Sequence, residues 1–387
     1  MSNFKNTTAY PRQWLFGLLS GLVKPFVKTD PKLVVLTSFH GDDFRGNTKI
    51  VFESLVHHPH IKAIWLSRNK TVIHEIVAQY GPGHALILHS WKGIFTLGKA
   101  NFYLLTHGTS DFAFCWLSRK ATIIQTYHGL PTKRGEYMRP GSDKKPSWLH
   151  RLVLSYRFKP IHYFLSTSPL VSDLFSKRFN LTPDRILEIG FPTSDRLIKS
   201  NVPISQFWPE APPAKRVILY APTYRRRTKT KWFPFNDFDK AKLEDFLEQR
   251  NALMVLRSHP NEKPHTELIG NRIVSGNDPD IYSLIGLSDV IISDYSGVYL
   301  EGLLLDIPCV FLPYDKATYE RGFPYDYDEV TPGPKPETQS DFLDCLDEGL
   351  SGAESYQAER RRVKDLFFHR NDGKSTERLI QFIEKLA

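Results

Sequence analysis

The sequence predicts an α/β fold built from two Rossmann-like halves, and three observations carry that prediction. Short apolar, β-branched runs of strand length alternate with helix-length segments, the rhythm of a parallel sheet covered by helices. A proline-rich stretch at residues 199–215 interrupts the alternation once, with the composition of a linker. On both sides of it, the loops richest in Gly, His, Arg and Ser follow predicted strands, where open parallel sheets place their ligands.

These signals divide the 387 residues into a segment 1–30, a first half 31–198, the linker 199–215 and a second half 216–387. The first half opens with a strand at 32–39, a polar loop at 41–47 and a helix at 48–56. Strands at 63–66, 85–88, 102–105 and 123–126 then alternate with helices at 72–80 and 93–99. A basic, aromatic helix is expected at 143–158, and the segments 163–167, 169–179 and 186–190 complete this half. The second half restarts with a strand at 217–220, a helix at 238–249 and a strand at 253–257. The segments 272–274 and 281–287 follow. Residues 287–315 then form a βαβ unit: strand 290–293, turn Asp294-Tyr295-Ser296-Gly297, helix 298–305 and strand 309–312. Helices at 337–349, 354–366 and 375–385 close the chain and are assigned to the second half.

Composition bounds the function. Hydrophobic (41%) and charged (24%) content are those of an ordinary globular protein. Cys115, Cys309 and Cys345 are widely spaced and match neither a disulfide framework nor a zinc pattern. Residues 1–200 carry 27 Lys and Arg against 12 Asp and Glu, a net +15, whereas residues 201–387 are net −6. The basic half calls for an anionic partner. No zinc-finger, helix-turn-helix or RNA-recognition signature accompanies the charge, which disfavours nucleic acid. Residues 10–28 place Trp14, Phe16, Leu18, Leu22 and Phe26 beside Arg12, Lys24 and Lys28. That pattern suits an amphipathic helix lying in a membrane interface; a helix packed on the domain behind it is the alternative. Residues 143–158, with Lys144, Lys145, Trp148, Arg151, Tyr156 and Arg157, form a second such candidate. No apolar run approaches the ~18 residues a membrane span requires.

Four loops carry residues able to do chemistry. In Tyr127-His128-Gly129-Leu130-Pro131-Thr132-Lys133 an imidazole, which titrates near neutrality, sits on a turning backbone beside a cation and is a candidate general base. Tyr220-Ala221-Pro222-Thr223-Tyr224-Arg225 offers a hydroxyl and a guanidinium in the manner of a phosphate clamp. Arg257-Ser258-His259-Pro260 can turn two cationic groups on one anion. Asp294-Tyr295-Ser296-Gly297 presents a hydroxyl and free N–H groups at a helix start, with Glu301 one turn in, able to accept hydrogen bonds from a ribose diol. Asp326-Tyr327-Asp328 has the Asp-x-Asp spacing but lies in a Pro/Gly/Tyr-rich segment and reads as a surface loop. His57, His58 and His60 have no Cys or carboxylate at the usual spacing, so no metal or cofactor is expected.

Taken in order, these pieces resemble the CDP-glycerol glycerophosphotransferase family of teichoic-acid and capsule synthesis. The matching residues are His128-Gly129-x-Pro131-x-Lys133, Gly190-Phe191-Pro192-x-x-Asp195, Tyr220–Arg225, Arg257-x-His259-Pro260 and Ser288–Ser296. Pro308, Tyr314-Asp315, Arg321-Gly322 and Pro332-Gly333-Pro334 follow in order. The resemblance implies a GT-B-like fold, two Rossmann-like domains facing a cleft, with CDP-glycerol held mainly by the second. It implies that Thr223, Arg225, Arg257, His259 and Ser296 bind the diphosphate, and that His128 acts as general base. Asp294, Gly297 and Glu301 join the donor site, with Gly129, Lys133, Asp195 and Arg321 as further candidates. It implies a polyprenyl-diphosphate-linked acceptor at the cytoplasmic face of the membrane, where the protein would be peripheral. Gly297, Glu301 and Thr193 depart from the Ser, Asp and Arg usual in the family, which leaves a ribitol donor open. Family polymerases often carry a large extra N-terminal region. The roughly 30 residues ahead of the first strand favour a single-addition enzyme or a compact polymerase. A nucleotide-sugar transferase of the same architecture and a non-catalytic binder of anionic polymer are the competing readings.

Overall fold

The computed structural model describes residues 10–23, 26–113, 115–118, 120–135, 148–200, 202–225, 228–258, 262, 265–277, 280–319 and 321–387. The chain separates into two compact units. Unit 1 runs to Gly129, from Gly135 to Arg196 and from His369 to Ala387; unit 2 comprises Leu130–Arg134 and Leu197–Phe368.

Unit 1 contains α1 (Tyr10–Val23), β1 (Asp30–Leu36), α2 (Gly46–Leu55), β2 (Lys62–Ser67), α3 (Lys70–Tyr80), β3 (Ala85–Ile87) and α4 (Trp91–Lys99). It continues with β4 (Ala100–Leu105), β5 (Thr122–Gln125), α5 (Trp148–Phe158), β6 (Tyr163–Ser166), α6 (Pro169–Phe179), β7 (Ile186–Glu188) and α7 (Pro192–Asp195). Among the described residues these seven strands are all parallel, in the order β3-β2-β1-β4-β5-β6-β7. Val34, Val35 and Leu36 on β1 and Tyr103, Leu104 and Leu105 on β4 are all fully buried. Successive residues are buried alike because helices cover both faces of a parallel sheet. The order reverses between β1 and β4, which places the ligand-binding crevice of such a sheet at their carboxyl ends.

Unit 2 repeats the plan on a smaller scale. It holds β8 (Arg216–Tyr220), α8 (Lys240–Gln249), β9 (Ala252–Leu256), β10 (Ile273–Ser275), α9 (Ile281–Leu287) and β11 (Val290–Ser293). After these come α10 (Val298–Gly302), β12 (Cys309–Phe311), α11 (Gln339–Ser351) and α12 (Gln357–Phe367). The parallel order β10-β9-β8-β11-β12 puts its switch point between β8 and β11. Side chains cap the helices where the sequence supplies them: Asp239 accepts from Ala241 N, and Asp280 from Tyr282 N and Ser283 N.

Three expectations change. The terminal helix, α13 (Ser375–Leu386), belongs to unit 1, not to the second half. Asp195 captures its first turn: Oδ1 accepts from Ser375 N at 3.0 Å, and Oδ2 from Thr376 N at 2.7 Å and Thr376 Oγ1 at 2.8 Å. The proline-rich stretch is packed on unit 2, where Trp208 Nε1 donates to Ser275 O at 2.8 Å and Ser200 N to Gly286 O at 2.8 Å. The helix expected at 298–305 is α10 for five residues and then a tighter turn, Leu303–Leu305.

The first helix docks with its small residues inward. Gly17 and Ser20 are buried, Trp116 N donates to Ser20 Oγ at 2.8 Å, and the Phe16 ring lies 6.1 Å from that of Trp91. Leu15, Leu18 and Leu22, at i, i+3 and i+7, face outward and are 54%, 65% and 68% exposed. On α5, Trp148, Leu152, Val153 and Tyr156 are likewise exposed; residues 143–147 lie outside the described residues. Among the described residues, no helix is long and apolar enough to cross a membrane.

Replacing Asp195 by Ala removes three hydrogen bonds to the start of α13. The expected cost is about 1–2 kcal/mol of stability in calorimetry, with earlier proteolysis within residues 369–387. An unchanged melting temperature and cleavage pattern would contradict the capping role.

Candidate active site

In unit 1 the site begins with one carboxylate. Asp111, fully buried, accepts through Oδ2 from Thr106 N (2.7 Å) and His107 N (2.9 Å), just beyond β4. Through Oδ1 it accepts from His40 N (2.8 Å), beyond β1. The loop after β1 is thereby held with Phe39 and His40 at φ 47° and 62°, the left-handed region that costs a non-glycine residue roughly 1–3 kcal/mol. Phe39 N completes the clamp on Thr106 Oγ1 at 3.0 Å.

This brings aromatic rings together. His107 stacks on His128 with centroids 4.0 Å apart and planes 8° from parallel, and His40 lies 4.7 Å from His107. His128 is aimed by its predecessor: Tyr127 has φ 58°, and Asn47 Nδ2 donates to Thr126 O (2.9 Å) and Tyr127 O (3.3 Å). Asn47 Oδ1 in turn accepts from Thr193 N and Thr193 Oγ1, so the residue that departs from the family's usual Arg is part of this support.

His128 Nδ1 lies 3.3 Å from Thr106 O. A carbonyl only accepts, so Nδ1 carries the proton and Nε2 holds the lone pair. The ring edge is solvent-exposed, yet the surrounding protein disfavours the cation and holds the imidazole well below its ordinary 6.5. Burial is the main cause, and His107 and Arg178 add to it; the hydrogen bond to Thr106 O and the charge of Asp111 work in the opposite direction. Burial pushes His107 down to about 3 and lowers His40 as well.

Of the other unit 1 candidates, Gly129 adopts φ 139°, a conformation that favours glycine. Asp195 is the cap of α13 described above, with both carboxylate oxygens engaged there.

In unit 2 a second buried aspartate plays the matching part. Asp294, 1% exposed and directly after β11, accepts through Oδ1 from Thr223 N (2.8 Å), beyond β8, and from Tyr295 N (2.5 Å). Its Oδ2 pairs with Arg225 at 2.9 Å. Arg225 is 5% exposed; it donates through Nε and Nη2 to Asp315 (2.7 and 2.8 Å) and through Nη1 to Thr223 O (2.5 Å). The rings of Tyr295, Tyr314 and Tyr319 lie 5.0–5.2 Å from it. Burial alone would lower its pKa, but Asp315 and Asp294 overcome that and raise it. Arg225 and Asp294, expected as donor contacts, are paired with each other here, and Asp315 grips Arg225 as well.

What these loops leave for a ligand is smaller. Thr223 Oγ1 is buried without a hydrogen-bond partner. Ser296 and Gly297 are half-buried, and a Cβ built on Gly297 would meet the Thr132 methyl at 3.4 Å, ordinary contact. Glu301 is half-buried, and its carboxyl is pushed up to about 8 by burial and by Asp280, against a hydrogen bond from Tyr282. It is therefore protonated near neutrality and can donate as well as accept. Arg257 donates through Nη1 to Gly276 O; Lys133 is half-buried and Arg321 exposed. His259 lies outside the described residues.

The model of the CDP-glycerol:poly(glycerophosphate) glycerophosphotransferases matches residues 21–385. The chain belongs to that family. It is thus an enzyme of the family of teichoic-acid glycerol-phosphate and ribitol-phosphate transferases. A teichoic acid glycerol-phosphate transferase of Staphylococcus aureus is 28% identical over 96% of both chains. A teichoic acid ribitol-phosphate primase of Bacillus spizizenii is 25% identical over 95% of both. A poly(glycerol phosphate) polymerase of Bacillus subtilis is 25% identical over 92% of this chain but only 49% of its own length. Among solved structures, the wall teichoic acid polymerase TagF, in a variant soaked with CDPG, superposes with a TM-score of 0.77 at 24% identity, covering 97% of this chain and 94% of that one. The fold is accordingly the GT-B-like α/β fold with parallel sheets.

Two outcomes follow for unit 2. Arg225→Ala strips the partner from buried Asp294 and is expected to cost about 3–5 kcal/mol in urea unfolding. Arg225→Lys should not restore it, because the paired bonds to Asp315 need the guanidinium fork. For Glu301, the unfolded chain ionises near the ordinary 4.5 while the folded carboxyl holds its proton to about 8. Stability should therefore fall as pH rises between those values and level off above them. Glu301→Gln should flatten that slope in melting curves; an unaltered slope would contradict the assignment.

Proposed function

We propose that the enzyme transfers glycerol phosphate from CDP-glycerol to a hydroxyl of a polyprenyl-diphosphate-linked or glycerophosphate-polymer acceptor, releasing CMP. The observation that carries this reading is His128, a neutral imidazole with its Nε2 lone pair free, at the carboxyl end of β5 in a member of this family. In this scheme Nε2 takes the proton of the acceptor hydroxyl, whose oxygen attacks the β-phosphate. The bond from that phosphorus to the bridging oxygen breaks, and CMP departs with the electron pair. The low basicity imposed by burial is relieved when the anionic donor binds, since a nearby negative charge raises an imidazole's pKa toward neutrality. Positioning and electrostatics supply the remainder, as in phosphoryl transfer generally.

In unit 2, the Thr223 hydroxyl, the N–H groups at Ser296-Gly297, Arg257 and His259 would hold the diphosphate. Arg225 and Asp294 act one step back, by fixing the loops that present those groups. Glu301, protonated, would meet the hydroxyl-bearing part of the donor. The ribitol-phosphate primase among the relatives keeps CDP-ribitol as the second donor to test.

The acceptor reading places the enzyme peripherally at the cytoplasmic face of the membrane. The outward leucines of α1 and the exposed apolar side chains of α5 support it, because an aqueous protein gains nothing by exposing them and a lipid interface covers them.

The purified enzyme incubated with CDP-glycerol and a synthetic polyprenyl-diphosphate disaccharide should yield CMP and a lipid product heavier by glycerol phosphate in mass spectrometry. His128→Ala should lower turnover by about 10²–10⁴-fold with folding intact. Near-normal turnover in that variant would overturn the base, and transfer from CDP-ribitol or a nucleotide-sugar alone would overturn the donor. Replacing Leu15, Leu18 and Leu22 together by Glu should abolish co-sedimentation with anionic vesicles while leaving the melting temperature near that of the wild type. Undiminished co-sedimentation would remove α1 from the membrane contact.

A further inference from the structure

Unit 1 contains a cavity of about 1090 Å³ that the proposed chemistry does not use. It is bounded by α1, the segment 115–118, the end of α5 and the starts of β5 and β6. Leu117, Ile123, Ile161 and Tyr163 contribute apolar wall. Its volume lies at the upper end for small-molecule sites, and walls of this kind suit a hydrocarbon better than a polar ligand.

Two further observations say what it holds. Three lining residues, Leu18, Trp116 and Tyr156, are themselves 65%, 54% and 44% exposed, so the lip of the cavity is apolar and continuous with the outward leucine face of α1. A chain entering from a lipid phase would cross no polar barrier there. At another point the wall is Thr109, whose N donates to Arg157 O (3.0 Å) and whose Oγ1 donates to Tyr156 O (2.9 Å). Arg157 Nη2 donates to His107 O at 3.0 Å, and His107 is the ring stacked on His128. The contact is tight: at Gly108, with φ 74°, a Cβ would lie 2.7 Å from Arg157 O. The cavity wall at Thr109 and the ring that stacks on the base, His107, therefore belong to one short segment, 106–111. Lys159 and Arg185 against Asp184 give the lining a net positive charge, complementary to an anionic lipid.

We propose that this cavity is the binding site for the hydrocarbon chain of the lipid-linked acceptor. The proposal rests on the acceptor reading given above. It makes the acceptor's lipid a recognised part of the substrate as well as a membrane anchor.

The test is photolabelling of the full chain, in mixed micelles, with a polyprenyl phosphate bearing a diazirine on its chain, followed by peptide mapping. Label is expected within residues 115–118 and 159–163, displaced by unlabelled polyprenyl phosphate and not by phosphatidylglycerol. Leu117→Trp, which fills the cavity, should reduce labelling there about tenfold; Pro160→Trp, at an exposed wall position, repeats the test if the first variant fails to fold. Label confined to the exposed face of α1, equal displacement by phosphatidylglycerol, or undiminished labelling in the filled variants would overturn the proposal. Turnover is read in parallel with long-chain and short-chain acceptors: Leu117→Trp should erase the preference for the long chain. Absence of turnover with every acceptor would sink the transferase reading alone, since the labelling still decides the cavity.

Discussion

The structure depends on how each parallel sheet ends. At the switch point two neighbouring strands leave in opposite directions, and the backbone N–H groups just past their carboxyl ends lose their ladder partners. Each unit meets this with one buried aspartate. Asp111 collects N–H groups beyond β1 and β4, and Asp294 collects them beyond β8 and β11. An unpaired buried carboxylate would be costly, but one that accepts several charge-assisted bonds is stable and holds its donors to short distances. Both sheets thus acquire rigid loop pairs where ligands bind.

The two units use that rigidity differently. In unit 1 the loops carry rings, and the carboxylate's geometry forces Phe39 and His40 into positive φ so that three imidazoles pack side by side. Burial is the main cause that lowers all three imidazoles, with His40 adding to it at His107 and His107 at His128, whose tautomer is chosen by Thr106 O. In unit 2 the carboxylate is itself neutralised by Arg225, which Asp315 grips from the other side within a cage of tyrosines. The local charge is spent internally, and beside it the Thr223 hydroxyl is buried without a hydrogen-bond partner.

Much of this was legible in the sequence, for a physical reason: strand-then-loop order follows from periodicity, and ligand loops follow strands. The loops that hold His128, Thr223 and Ser296 follow β5, β8 and β11 as that order predicts. His107 and Asp111 were missed, although they follow the predicted strand 102–105 directly, because strand order in the sheet decides which loop flanks the switch point and order is a tertiary fact. The ion pairs of Arg225 leave no local sign in the sequence, since its partners, Asp294 and Asp315, lie 69 and 90 residues away along the chain. Asp195 carries no local sign that it caps a helix 180 residues later. The amphipathic pattern of the last helix likewise says that it buries a face, and not against which core. On α1 the composition was informative but the direction was not: the small residues face in and the leucines out.

The claim on which the account turns is a general base preset as a neutral imidazole with its Nε2 free. Nitrogen NMR of the enzyme labelled at histidine, titrated without ligand and assigned through His128→Gln, tests it most directly. The account predicts that the His128 signals report the Nδ1-protonated neutral form throughout pH 5.5–8, with the cation appearing near neutral pH only once donor is added. A free-enzyme titration midpoint near the ordinary imidazole value of ~6.5, or the opposite tautomer, would contradict it.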